Sequence, residues 1–238
     1  MGPYCWQEID IEEWSTNRKP EIVDRMLRLL IPRSCGSLRK LSFSGLAGDE
    51  SIFFIANHAQ SLQTLRLPRS KINDSVMERA AGMLSTISFL DLSYCINIGA
   101  PALEAIGKHC KSLTTLRRVM HPVEVIDKLS QDDEALAIAA TMPRLKHLEI
   151  TYLLVDTSSV VEILKNCNQL ELLDVRGWDT SSDYSGSSAY LAWDFVAGDY
   201  AEMSDDFWED EHQIEDVEMR FYNDVNVVDA GYDWPQSP

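Results

Sequence analysis

The clearest feature of the sequence is a hydrophobic pattern that recurs through the middle of the chain. Six segments follow the pattern apolar-x-x-Leu-x-apolar, and only the fourth departs from it, because Arg118 stands at its last apolar position. The segments are residues 37–43, 61–67, 86–92, 112–118, 144–150 and 169–175. Their starts lie 24, 25, 26, 32 and 25 residues apart. Such spacing is typical of a solenoid, in which each unit buries its hydrophobic face only against its neighbours.

Within each unit the pattern predicts a strand followed by a helix. The Leu-x-apolar piece alternates with period two, and the residues after it change to helical spacing. Asp49, Asp74 and Asp156 stand just ahead of helical stretches, where a carboxylate can accept hydrogen bonds from unpaired backbone N–H groups. Helices are predicted over 49–58, 73–83, 101–109 and 158–166. The predicted fold is an α/β leucine-rich-repeat solenoid of about six repeats, with a curved parallel sheet inside and helices outside.

The residues before the repeats predict a capping helix. Pro20 suits the first position of a helix, a broad apolar face follows it, and Pro32 is expected to end it. We expect this helix to cover the open end of the first repeat. Binding to a membrane surface is the alternative, but two arginines make a poor cationic face for it. The predicted domains are an N-terminal cap over 1–34, repeats over 35–178 and an acidic tail over 179–238.

Charge separates the tail from the rest of the chain. The tail holds sixteen Asp and Glu residues against one basic residue, Arg220, which leaves 22 acidic and 20 basic residues in the first 178. A nearly neutral body argues against a nucleic-acid surface, which needs clustered Lys and Arg. The tail also holds eleven of the 21 aromatic residues. Acidic and aromatic residues mixed in this way predict a mostly disordered segment that folds on a partner, with a short helix near 206–222.

The cysteines and the N-terminus indicate an intracellular protein. The five cysteines form no Cys-x-x-Cys pair, and the chain opens without the basic and apolar regions of a signal peptide. No apolar run approaches the ~18 residues of a membrane span. We therefore expect residence in the nucleus, the cytosol or both, without disulfides. Packing at the bends of the repeats is the expected role of Cys35, Cys95, Cys110 and Cys167.

The sequence contains no recognisable catalytic motif. A Walker loop, a His-Glu-x-x-His zinc motif, a Gly-x-Ser-x-Gly elbow and a Gly-x-Gly-x-x-Gly loop are all missing, and the five histidines are dispersed. Acidic pairs in the tail lack the loop framework of a calcium site. The expectation is a protein that is not an enzyme and that uses no cofactor, metal or small-molecule ligand.

The candidate binding surface is the concave face of the predicted sheet. Residues that flank the central Leu of each strand point away from the helices, and parallel strands lie ~4.8 Å apart, so these residues should stack in rows. One row is Ser42, Arg66, Asp91, Arg117, Glu149 and Asp174, and the other is Lys40, Thr64, Phe89, Thr115, His147 and Leu172. Arg176, which lies just after the last strand, is also a candidate residue of this binding surface. Two interpretations stay open: a charge ladder that satisfies itself, and a partner footprint with Phe89 as its anchor.

The spacing between the fourth and fifth strands predicts an insertion. It stretches to 32 residues, and residues 118–135 supply the extra length. The segment is either a surface insertion, which costs little closure entropy, or a loop that touches the partner.

Two phrases resemble a known family. Residues 90–116, LDLSYCINIGAPALEAIGKHCKSLTTL, look like the cysteine-containing repeat of F-box proteins. Residues 3–14, PYCWQEIDIEEW, resemble the junction after the F-box in plant F-box/leucine-rich-repeat proteins of the FBW type. The resemblance implies a repeat surface that presents a protein substrate to an SCF ubiquitin ligase for degradation.

The resemblance also implies an F-box, which this sequence is expected to lack. Binding of the Skp adaptor and a cullin is therefore expected only if an F-box precedes residue 1. Two alternatives follow. One is a dominant-negative receptor that binds substrate without recruiting the ligase, and the other is an acidic-tailed repeat chaperone or scaffold for basic nuclear proteins.

Overall fold

The computed structural model describes residues 6–46, 48–120 and 130–176, and in them seven short strands form one parallel sheet. The strands pair in chain order, each with the next. They are β1 (Glu8–Asp10), β2 (Lys40–Ser42), β3 (Thr64–Arg66), β4 (Phe89–Asp91), β5 (Thr115–Arg117), β6 (His147–Glu149) and β7 (Leu172–Asp174). The six predicted strands are confirmed, and β1 adds a seventh at the N-terminal edge.

A helix follows most strands and returns the chain to the start of the next one. The helices are α1 (Glu12–Thr16), α2 (Pro20–Leu30), α3 (Asp49–His58), α4 (Asp74–Ala81), α5 (Ala100–His109), α6 (Asp132–Thr141) and α7 (Thr157–Asn166). Short 3₁₀ turns extend α2 and α4 over Ile31–Ser34 and Gly82–Leu84. The α/β leucine-rich-repeat fold predicted from the pattern is thereby confirmed.

The N-terminal segment is a repeat unit in its own right. Ile9 of β1 stands in register with Leu41 of β2, and α2 follows β1 as the other helices follow their strands. Pro20 is the first residue of α2, as expected, but Pro32 lies inside the 3₁₀ turn after the helix has ended at Leu30. The helix predicted as a cap is therefore the outer helix of an additional repeat unit, and its Val23 and Leu27 are buried in the shared core. The sequence pattern did not predict β1, because a single strand of three residues carries too little of it to be recognised.

The central leucines of the strands form a continuous buried column. Leu41, Leu65, Leu90, Leu116 and Leu148 are exposed by 1% or less. Full burial of a Leu side chain contributes about 1.5–3 kcal/mol. Because each Leu is covered partly by the repeats on both sides, the repeats stabilise one another and the column sets their register.

Two of the three predicted helix caps were wrong. Asp156 caps α7 as expected, since its carboxylate accepts the N–H of Ser159 at 2.7 Å. Asn73, not Asp74, caps α4 by accepting the N–H of Val76. The Asp74 carboxylate instead accepts the N–H of Gly99 in the next repeat, at 2.7 Å. Asp49 is the first residue of α3, and the cap position belongs to Gly48 without a side-chain bond.

The cysteines divide into two groups. Cys95, Cys110 and Cys167 are buried, as the packing role requires, and burial raises the pKa of the Cys95 and Cys110 thiols to about 11. Thiols with such pKa values are protonated at neutral pH and unreactive. Cys35 is exposed and adopts a left-handed backbone conformation with φ of 49°. The packing role expected for Cys35 was therefore wrong.

The insertion predicted over 118–135 is only partly a loop. Residues 121–129 lie outside the described residues, while α6 already begins at Asp132. Arg118 is completely buried and pairs with Glu134 of α6, with Nε 3.0 Å from a carboxylate oxygen. Its other nitrogens donate to the carbonyl oxygens of Cys95 and Ile98, at 3.1 and 2.7 Å. The one residue that breaks the hydrophobic pattern thus joins the insertion's two ends.

We expect Gly107→Ala to destabilise the fold. An added Cβ would lie 2.0 Å from Thr141 Oγ1 and 2.9 Å from Met142 Cγ, because α5 and α6 approach closely there. Overpacking of this kind costs about 1–3 kcal/mol. Gly82→Ala is the control, since its Cβ would meet only the His109 ring, at 3.7 Å. Urea unfolding curves measure both variants, and equal midpoints would contradict the close approach.

Asp156→Ala is expected to cost about 0.5–2 kcal/mol of folding free energy, the range for loss of a helix cap. The backbone N–H of Ser159, followed by other hydrogen bonds, lowers the pKa of Asp156. A lowered folded-state pKa means that this contribution is complete above the unfolded value and disappears as the pH falls through the folded one. Asp49→Ala, which removes no cap, should cost less at pH 7. Unfolding curves at pH 7 and below pH 4 test both points; a cost that persists in acid contradicts the charged cap.

Candidate protein-binding face

The strand register brings the sequence-predicted site residues together in two rows. Lys40, Thr64, Phe89, Thr115, His147 and Leu172 stand side by side, as do Ser42, Arg66, Asp91, Arg117, Glu149 and Asp174. The central leucines between the rows point toward the helices, so both rows belong to the opposite, concave face. The predicted order of neighbours is confirmed for every pair of strands.

Alternating charges connect the second row. Arg66 Nε and Arg117 Nη1 each lie 3.3 Å from the same oxygen of Asp91. Arg117 Nε lies 2.7 Å from Glu149, and Arg66 Nη1 lies 3.1 Å from Glu12. The predicted position of Asp91 between two arginines is confirmed. Glu12 of α1 extends the ladder, which the sequence did not indicate because its pattern predicted no helix at α1.

Two groups of the second row, Arg117 and Asp174, are stabilised in their charged forms. Burial lowers the pKa of the Arg117 guanidinium, but its hydrogen bond to Glu149 and the negative charge of Asp91 outweigh burial and raise that pKa. At the far end of the row, a hydrogen bond from Arg176 lowers the pKa of Asp174. These groups therefore present a fixed arrangement of charge at neutral pH.

Two predicted site residues are not accessible. Ser42 is exposed by 0% and Asp91 by 1%. Residues 11–16 lie along the end of β2: the N–H of Ile11 donates to Ser42 O, and the N–H of Ser44 donates to Ser15 Oγ. The Ser42 hydroxyl finds no hydrogen-bond partner among the described residues. We therefore correct the prediction: Ser42 is covered by this N-terminal segment, and Asp91 orients the two arginines from below.

The first row stays open to solvent. Thr64, Phe89 and Thr115 are half-buried, whereas His147 and Leu172 are exposed, Leu172 by 43%. Lys40 lies 3.5 Å from Asp10 across β1 and β2, and His147 lies 3.7 Å from Glu171. A half-buried aromatic ring between two threonines is available for contact with another molecule.

The strands end at a rim that the sequence did not reveal. Arg69, Tyr94 and Tyr152 follow their strands in the left-handed conformation, with φ of 56°, 60° and 60°. Each donates its N–H to a carbonyl of the next repeat, which continues the sheet ladder by one bond. The Arg69 guanidinium lies over the Tyr94 ring, 5.0 Å from its centroid. A glycine at such a turn would reveal the left-handed conformation in the sequence. Of the described turns at this rim, only the one after β2 has a glycine, Gly45.

Two other kinds of feature, a metal-binding cluster and a membrane-spanning helix, are absent from the part of the chain that the structure describes. In residues 6–46, 48–120 and 130–176, no group of three or more His, Cys, Asp or Glu side chains could hold a metal ion. No helix in this part of the chain is long and apolar enough to cross a membrane. The tail from 179 onward, with its predicted disorder and short helix, lies outside the described residues.

The chain is similar to several F-box proteins of Arabidopsis thaliana. It is 45% identical over 277 aligned residues to F-box protein FBW2, across 100% of this chain and 86% of that protein. It is 31% identical over 216 residues to F-box protein SKIP1, across 80% of this chain and 72% of that protein. Putative F-box/LRR-repeat protein 23 is 30% identical over 176 residues, which cover 73% of this chain and 39% of that protein. No family model matches the chain.

We expect Asp91→Asn to destabilise the fold by about 1–3 kcal/mol. Breaking a buried ion pair costs about 3–5 kcal/mol, and the cost is smaller here because both arginines are about a third exposed and can regain water. Asp174→Asn is the control, since it removes a pair with the exposed Arg176. Urea unfolding measures both variants. A cost for Asp91→Asn no larger than for the control would show that the ladder does not depend on Asp91.

Proposed function

The chain belongs to the plant F-box protein family that includes leucine-rich-repeat members, and we propose that its concave face binds a protein substrate of an SCF ubiquitin ligase. Binding of the Skp adaptor and a cullin requires an F-box, so the proposal for the described residues is limited to substrate recognition. The chain acts as an adaptor in this proposal and carries out no chemistry itself.

The observation that carries the proposal is the difference between the two concave rows. The charged row is occupied with its own ion pairs from Glu12 to Glu149, so its charges are already satisfied. In the other row the ion pairs lie toward the two ends, Lys40 with Asp10 and His147 with Glu171, and the central residues Thr64, Phe89 and Thr115 form none among the described residues. Aromatic side chains at the centre of a surface are typical anchors of protein interfaces. Phe89 therefore serves as the anchor.

The charged row contributes orientation more than affinity. Arg66 and Arg117 are held in place by Asp91 beneath them, with about a third of each side chain still exposed. A preorganised guanidinium loses little side-chain entropy when it accepts a further partner. The substrate surface that fits best combines an apolar group for Phe89 with a few polar groups beside the arginines.

We expect Phe89→Ala to weaken substrate capture about thirtyfold, because truncating a central aromatic anchor costs about 2 kcal/mol or more. Phe53→Ala is the matched control. Phe53 is also half-buried, but it lies on α3 beneath the Arg79 guanidinium, on the convex side. The full chain carrying each change is expressed in plant cells with the proteasome inhibited. Proteins that co-purify with it are quantified by mass spectrometry.

Substrates are the proteins recovered with the wild type and Phe53→Ala but depleted with Phe89→Ala. Thermal unfolding of both variants shows that the fold is retained. Equal recovery from Phe89→Ala and Phe53→Ala would reject the concave face. Capture of core histones that high salt abolishes and Phe89→Ala leaves unchanged would favour the chaperone alternative.

A further inference from the structure

The last described repeat is not covered as the inner repeats are. The three apolar positions of the strand pattern are exposed by at most 1% in the units of β2, β3 and β4. In the last unit the same positions are Leu170, Leu173 and Val175, and all three are only partly buried. A solenoid leaves its hydrophobic layer open at each end unless a terminal segment covers it. The described residues contain no such segment beyond β7.

The outer helix of this repeat shows the same open end. Ala56, Ala81, Gly107 and Ala139 occupy equivalent positions in α3 to α6, and all are buried. Gly107 shows the reason, because a Cβ there would collide with side chains of the following helix. The equivalent residue in α7 is Leu164, which is exposed by 54%. A large side chain at this position leaves no room for another helix packed at the same distance.

Among the described residues β7 is the last strand of the sheet, and its outer edge offers backbone hydrogen-bonding groups as well as apolar surface. Just after β3, the N–H of Leu67 donates to Asp91 O of the next repeat. Just after β6, the N–H of Ile150 likewise donates to Asp174 O. Val175 holds the same position in the last repeat. Unpaired backbone groups at a sheet edge favour the addition of another strand.

We propose that residues 190–195, Tyr-Leu-Ala-Trp-Asp-Phe, cover this end of the solenoid as an added edge strand. Tyr190, Trp193 and Phe195 repeat the apolar-x-x-apolar-x-apolar spacing of Leu170, Leu173 and Val175, twenty residues later. Even the acidic residue between the last two apolar positions recurs, as Asp194 after Asp174. Trp193 then covers Leu164 and Leu173.

The length and charge of the chain favour this segment. Fourteen residues separate Val175 from Tyr190, which span up to about 45 Å when extended, against ~4.8 Å between neighbouring strands. They show no helical periodicity, in agreement with the absence of space for a helix beside Leu164. Segment 190–195 carries one acidic residue, whereas residues 199–218 carry ten. The open end presents the apolar side chains of Leu164, Leu170, Leu173 and Val175, so the less acidic segment fits it better.

The proposal is tested with Trp193→Asp in the full chain, and Trp234→Asp is the matched control in the same tail. Amide hydrogen exchange is followed at Leu173 and Val175, and thermal unfolding is recorded. We expect Trp193→Asp to speed exchange of these amides about tenfold or more and to lower the melting temperature, because an uncovered edge opens locally. Trp234→Asp should leave both unchanged.

Three results would overturn the proposal. The first is exchange at β7 and a melting temperature in Trp193→Asp that equal those of the control. The second is wild-type protection that rises with protein concentration together with elution as a dimer, which would place a second copy on the end. The third is protection of β7 that develops only when a captured substrate is added. The binding function of the concave face does not enter this test, so either proposal can fail alone.

Discussion

Mutual burial of neighbouring repeats is the interaction on which the structure depends. Each strand is three residues long and contributes one central leucine, too little to be stable alone. Stacking removes those leucines from water and also pairs the strand edges, so stability grows with each added neighbour. The same constraint explains why small residues line the helix contacts. It also explains why the last described repeat, without a neighbour in the described residues, leaves Leu164 exposed and Leu173 only partly buried.

The residues of the concave face can be adapted to binding, because the burial of the central leucines between repeats does not depend on them. Leucines that point toward the helices fix the strand register, and the flanking positions are then free to vary without loss of the core. Asp91 shows the division clearly: it is buried between Arg66 and Arg117, satisfies both, and leaves the neighbouring row with Phe89 open. The self-paired charge ladder is therefore present, and the partner footprint on the aromatic row beside it remains the proposal.

Buried polar contacts connect the segments that depart from the repeat. Glu12 of α1 reaches Arg66 two strands away, and residues 11–16 of the same segment cover Ser42. Arg118 breaks the hydrophobic pattern, yet it pairs with Glu134 and donates to carbonyls of the preceding repeat's turn. A buried arginine without such partners would be too costly to keep. The two contacts hold the segment around Glu12 and the insertion after Arg118 against the regular sheet of repeats.

The sequence by itself determined the fold, six of the strands and the order of residues along both concave rows. These features follow from local periodicity, since spacing along the chain fixes which side chains face the core. The tertiary structure alone decided the pairing of Arg118 with Glu134, the covering of Ser42, the choice of Asn73 over Asp74 as a cap, and the exposure of Cys35. Each of these depends on residues brought together from different repeats or on a backbone conformation that no spacing encodes. Periodicity reports which face a residue occupies, but not which distant partner reaches it.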